Sequence, residues 1–176
     1  MEKNAKTPAE TRTIMTNIVL PNETNALGNM FGGELLSRMD RAAAIAAQRH
    51  SESTVVTASV NHVSFKYPIP QGGVVVVEAK VSRAFSTSME IYCDVWLDNP
   101  ITKEKIHTNE GIYTFVAVDK NNHPVAIPEL IPQSDVEKAR FDAALRRKEL
   151  SLILSGKMKA QDSIELIWLD YLLYSR

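Results

Sequence analysis

Residues 30–50 read MFGGELLSRMDRAAAIAAQRH, and the fold turns on this stretch. Leu35, Leu36, Met39, Ala42, Ala43, Ile45 and Ala46 recur at steps of three and four, the period of a helix with one buried face. Alanine is the best helix former, and Ala42, Ala43, Ala44, Ala46 and Ala47 make a slim side that can lie close on a sheet. Gly32 and Gly33 let the backbone enter the helix tightly. A helix of this size is about 30 Å long, which makes it the expected core helix.

Outward from that helix the period changes to two. Residues 12–20, RTIMTNIVL, mix β-branched and apolar positions and stop at Pro21, which predicts a strand. Residues 21–29, PNETNALGN, are dense in turn formers and predict a loop. After the helix, Val56, Ala58 and Val60 point one way, while Val63 and Phe65 sit on the opposite parity. That flip predicts a bulge near Asn61–His62. Val75, Val77, Ala79 and Val81 alternate with polar neighbours, as do Met89, Ile91, Cys93, Val95 and Leu97, and residues 106–118 form a further alternating run. Short connections favour antiparallel pairing, so the order predicts an α+β layer with one long helix on an antiparallel sheet.

The chain has 176 residues, the size of one ordinary domain. Its net charge of −1 lacks the positive field of a general nucleic-acid binder. With 44% hydrophobic and 23% charged residues it has the composition of a globular protein with a core. The one cysteine, Cys93, excludes an intrachain disulfide and a multi-cysteine zinc site, and sits on the apolar parity of its strand, where a core role is expected. No apolar run is long enough to cross a bilayer, and residues 1–11 are polar, without the apolar stretch of a secretory signal. A cytoplasmic protein is expected.

Residues 135–159 predict a second helix, rich in Lys138, Arg140, Arg146, Arg147, Lys148, Lys157 and Lys159. That charge suits a solvated face, or contact with an anionic ligand or a neighbouring subunit. The tail Ile164 to Tyr174 is apolar enough to dock on a partner surface.

No nucleophile elbow, phosphate-binding loop or dinucleotide fingerprint is present. His50, His62, His107 and His123 never occur at short metal-ligand spacing, so no metal is expected. His62 reads first as a strand residue with a local hydrogen bond. The unusual residues gather at one junction: Asn25, Gly28, Asn29, Gly32, Gly33 and Asp40. A helix N-terminus offers unpaired N–H groups and the positive end of a dipole, a means of polarising a carbonyl. Asp40 follows Gly33 by seven residues, which puts both on nearly the same helix face, about 10 Å apart along the axis. Asp40 is either a surface aspartate paired with Arg38 or Arg41, or an acid held in the helix for chemistry.

The segments NETNALGNMFGGELLSRMDRAAAIAAQRH, VVTASVNHVSFKYPI and EGIYTFVAVD together resemble the hotdog-fold acyl-CoA thioesterases, nearest the brain-type acyl-CoA hydrolases and their short bacterial relatives. The specific element is the combination TN-x2-GN-x-FGG-x5-MD. The resemblance implies an α+β hotdog fold, a long central helix wrapped by a curved antiparallel sheet, plus a C-terminal helix. It divides the chain into a flexible N-terminal arm (1–11), a hotdog thioesterase domain (12–130) and a C-terminal helical extension (131–176). It implies hydrolysis of acyl-CoA to free fatty acid and CoA. Asp40 would be general base or nucleophile, Asn25 would orient water or substrate, and the N–H at Gly33 would hold the carbonyl oxygen. For CoA binding it points to Gly32, Lys66, Arg83, Ser86, Thr87 and Ser88. Lys66, Arg83, Ser86 and Ser88 read equally as strand-end or turn residues.

The family also implies homodimers with sites at the subunit interface, Asn and Asp coming from opposite chains, and often trimers of such dimers. No cofactor is expected, coenzyme A being part of the substrate, and neither nucleic acid nor membrane is an expected partner. An acyl-CoA-binding sensor without turnover and a hotdog dehydratase are the competing readings. The Asp40–Asn25 pair and the absence of a DNA-binding segment argue against the sensor. The dehydratase usually calls for a catalytic histidine or a different acid placement near the helix, and neither pattern is evident.

Overall fold

The computed structural model of the chain describes residues 4–163. They fall into two compact units, the first ending at Gln133 and the second starting at Ser134. The first holds a short helix α1 (Pro8–Thr11), β1 (Thr13–Ile18), a 3-10 turn (Pro21–Glu23), the long helix α2 (Gly32–Ser51), β2 (Thr54–Phe65), β3 (Val74–Ala84), β4 (Ser88–Asp98) and β5 (Lys105–Val118). The strands pair antiparallel in one sheet of order β1-β3-β4-β5-β2. A central helix on an antiparallel sheet is the hotdog architecture expected from the sequence.

The alanine run does what its size predicts. Ala42, Ala43, Ala46 and Ala47 are fully buried, with Leu35, Met39 and His50 on the same side of α2. Beneath them the sheet presents a row of small residues: Ala79 pairs with Cys93, and Cys93 with Gly111. A Cβ at Gly111 would collide with the end of the Met39 side chain, so glycine leaves room for that methyl against the sheet. Cys93 is buried, its thiol 3.7 Å from the Met39 carbonyl oxygen.

Strand β2 breaks register twice, between Thr57 and Ser59 and between Val60 and His62. The second break is the bulge read from the sequence; the first is not. With both, the side chains that share the α2 face of β5 are Val55, Thr57, Val60, Val63 and Phe65. They pair with Ala117, Phe115, Tyr113, Gly111 and Asn109. Val56, paired with Val116, therefore does not share a face with Val60, contrary to the expectation.

Residues 4–11, expected as part of a loose arm, are folded. Lys6 bridges to Leu130 and its ammonium bonds Glu52, while α1 buries Pro8 and Thr11, with Thr11 accepting from Val81 N–H. Arg12 pairs with Glu78 of β3 at 2.7 Å. The Arg12 guanidinium holds the Glu78 carboxyl down at about 2, with help from Lys80.

The second unit carries α3 (Asp135–Leu154). Ser134 and Glu137 cap its start reciprocally. It stops short of the residue 159 expected, because Gly156 adopts φ 71°. Gly156 N–H then reaches the Ile153 carbonyl and Lys157 N–H reaches Leu152, the bonding of a Schellman cap. Lys157 and Lys159 therefore lie outside the helix, which keeps a single positive charge in excess. The apolar tail beyond residue 163 lies outside the described residues. No helix among the described residues is long and apolar enough to cross a membrane.

Candidate active site

The first intrahelical bond of α2 runs from Leu35 N–H to the Phe31 carbonyl. The N–H groups of Gly32, Gly33 and Glu34 precede it and have no acceptor within the helix, which leaves them for a ligand at the positive end of the dipole. Phe65, the last inward residue of β2, crosses this end of the helix. A Cβ on Gly32 would stand 3.3 Å from its ring.

Two turns further along α2, Asp40 is half-buried and accepts a hydrogen bond from Thr57 Oγ1 at 2.9 Å. Neither arginine considered for it pairs with it. Arg38 is committed to Glu23, and among the described residues Asp40 has no cationic partner. Below it, Tyr113 donates its hydroxyl to the Leu36 carbonyl at 3.2 Å. Burial pushes the Tyr113 phenol up, and the neighbouring Cys93 and Asp40 push the same way.

Asn25 sits in the loop before α2. Its Oδ1 accepts from the N–H groups of Leu27 (2.9 Å) and Asn29 (3.2 Å). Two backbone donors fix which end of the amide faces the loop. The amide NH2 then faces elsewhere, with no partner among the described residues. Asn25 is thus presented as a donor. It lines a pocket of about 330 Å³ with Gly32, Leu35, Phe65, Lys66 and Asn109.

Asp40 does not line that pocket. The other expected CoA-binding residues lie at the opposite end of the sheet. On β5, Asn109 pairs with Phe65 and Val116 with Ser88, a spacing of roughly 20 Å at about 3.3 Å per residue. At that far end Arg83 lies 5.8 Å from the Phe85 ring. The carbonyls of Ser86 and Thr87 hold Ile127 and Ala117, leaving the hydroxyls of Ser86, Thr87 and Ser88 without hydrogen bonds among the described residues. Within one chain, then, the structure groups Asn25, Gly32 and Lys66, places Asp40 with Thr57, and sets Arg83 to Ser88 apart.

Lys66 is not free. Its ammonium bonds Glu110 at 2.8 Å and, with Tyr92, holds that carboxyl below the usual range. Glu110, Asp94 and His107 stand on the sheet face away from α2 with ligand atoms within 4.8 Å of one another, a group able to hold a metal among the described residues. Its charges are already met inside the protein: Lys66 and Tyr92 occupy Glu110, and His107 bonds Asp94 at 3.2 Å. Sequence reasoning had no signal for this cluster, since the three residues meet only across paired strands.

Thr57 also escaped the sequence. With Val56, Ala58 and Val60 read as sharing one face, Thr57 fell on the other; the register breaks put Thr57 on the same face as Val60 and Val63. A polar residue between Val56 and Ala58, ahead of a parity change, was the signal available.

Residues 27–103 match the family model described as Thioesterase superfamily. The uncharacterised acyl-CoA thioester hydrolase YkhA of Bacillus subtilis is 35% identical over 138 residues, covering 78% of this chain and 80% of that protein. A hexameric acyl-CoA thioesterase superposes with TM-score 0.80 at 39% identity, over 84% of this chain and 94% of that one. The acyl-CoA hydrolase of Staphylococcus aureus, solved with butyryl coenzyme A and coenzyme A, superposes with TM-score 0.81 at 32% identity, over 93% and 98%. That enzyme has also been solved with single aspartate, threonine or asparagine residues replaced by alanine. Together with the sheet order, the helix N-terminus and the acid two turns along it, these likenesses show that the chain belongs to the hotdog-fold acyl-CoA thioesterases.

Proposed function

We propose that the protein hydrolyses the thioester of acyl-CoA, with Asp40 as general base. The observation that carries this is the Thr57–Asp40 hydrogen bond: it orients a half-buried carboxylate that no cation among the described residues neutralises, on the helix whose first N–H groups are open. Asp40 takes a proton from water as the water oxygen attacks the thioester carbonyl carbon. The oxyanion that forms is met by the Gly33 N–H and the Asn25 amide. Collapse breaks the C–S bond, CoA leaves as thiolate and accepts the proton, and the free acid departs. Coenzyme A enters as part of the substrate, and the chemistry needs no cofactor.

The site is completed by a second copy. β2 is a sheet edge of 12 residues that exposes Val56, Val60 and Phe65. Such an edge invites pairing. The other edge, β1, has six residues, and Arg49 covers its start by bonding the Arg12 carbonyl and the Thr13 hydroxyl. Antiparallel pairing of two β2 strands about a two-fold axis near Asn61 sets Thr57 of one chain opposite Phe65 of its partner. Thr57 holds Asp40 and Phe65 crosses Gly32, so the acid of one chain meets the helix end and Asn25 of the other. The same pairing puts Lys66 level with the partner's Ser88, and so gathers Lys66, Arg83, Ser86, Thr87 and Ser88 as the path for CoA. In support, the structural relatives include a hexamer.

Thiol release from a series of short, medium and long acyl-CoA esters tests the reading. Wild type is expected to turn over at least part of the series, and Asp40→Ala to lose at least about 10²-fold in kcat while staying folded. Near-normal turnover by Asp40→Ala would remove Asp40 as the base.

A further inference from the structure

Glu23 and Arg38 form an ion pair with side chains only 18% and 7% exposed. Arg38 Nη2 lies 2.7 Å from each Glu23 carboxylate oxygen and 3.4 Å from the Ile18 carbonyl. Arg38 Nη1 is buried without a partner. Glu23 also accepts Leu20 N–H at 2.8 Å through its side chain and Phe31 N–H at 2.9 Å through its backbone carbonyl. It thus grips α2 at two points, the residue before the first turn and the second turn. Asn25 lies on the loop between Glu23 and Phe31.

Desolvating two charges costs about as much as their attraction returns, and a guanidinium N–H left unpaired adds to the cost. Net stability is therefore a weak reason for this pair, whereas fixed geometry is a good one. We infer that Glu23 and Arg38 are positioning residues for hydrolysis. They hold the loop against α2 so that the Asn25 amide and the Gly33 N–H converge on one carbonyl oxygen. The inference rests on the role given to Asn25 above.

A double-mutant cycle on the full-length enzyme tests it. Glu23→Gln is expected to lower kcat about 10- to 100-fold, the cost of a misplaced donor, with KM for acyl-CoA within about threefold. In an Asn25→Ala background the same change is expected to cost almost nothing further, because the donor it positions is gone. A loss of the same size in both backgrounds would overturn the inference, as would one carried by KM or melting temperature alone. If Glu23→Gln does not fold, Arg38→Lys serves the same cycle, since it keeps the charge and loses the planar fork. Unchanged kcat in Asn25→Ala by itself would instead overturn the role of Asn25, a result read before Glu23 is touched.

Discussion

Thr57 donates to one oxygen of Asp40 and leaves the other for water. Thr57→Ala is expected to lower kcat about tenfold, the scale of losing a group that orients a catalytic one. Thr57→Ser, which keeps the hydroxyl, should recover most of it. Steady-state kinetics with thiol detection checks both, and equal loss in the two variants would tie Thr57 to packing instead. Asn25, Gly33 and Asp40 were legible as candidates because each carries a local signature: a turn-rich loop, a glycine pair opening a helix, an acid in an alanine run. Thr57 and Glu23 were not. The role of Thr57 depends on a bulge one residue later, and that of Glu23 on an arginine fifteen residues away that only the fold brings near.

At the scale of elements, periodicity fixed α2 and the inward faces of β3 and β4, because a buried face must repeat with the geometry of its element. The end of α3 was missed because the charge pattern continues past Gly156, while the backbone turns left-handed there. The fit of Met39 over Gly111 was hidden as well, since the small row Ala79–Cys93–Gly111 forms only across three strands. Gly111→Ala is expected to push Met39 and destabilise the fold by about 1–3 kcal/mol, measured by denaturant unfolding. Trimming the clash with Met39→Ala in the same chain should not add the full cost of a core truncation. Additive losses would contradict the contact. The tie of β1 to β3 carries a pH signature. Glu78 has its carboxyl lowered from 4.5 to about 2, so the stability it contributes is complete above pH 4.5 and fades as pH falls toward 2. Glu78→Gln should therefore be less stable than wild type near neutrality, and the gap should close as pH falls through that window.

For the whole molecule, one chain sets Asp40 apart from the pocket that holds Asn25, and it leaves a long edge strand exposed. The proposed dimer, with a second copy joined at β2, would resolve both facts at once. The deciding measurement uses two inactive chains, Asp40→Ala and Asn25→Ala, co-expressed with different tags and purified as mixed oligomers. With the acid and the amide drawn from opposite chains, each purified mixed dimer regains one of its two sites, which restores roughly half of wild-type turnover. Mixed oligomers no more active than either parent would place both residues in one chain and contradict the shared site.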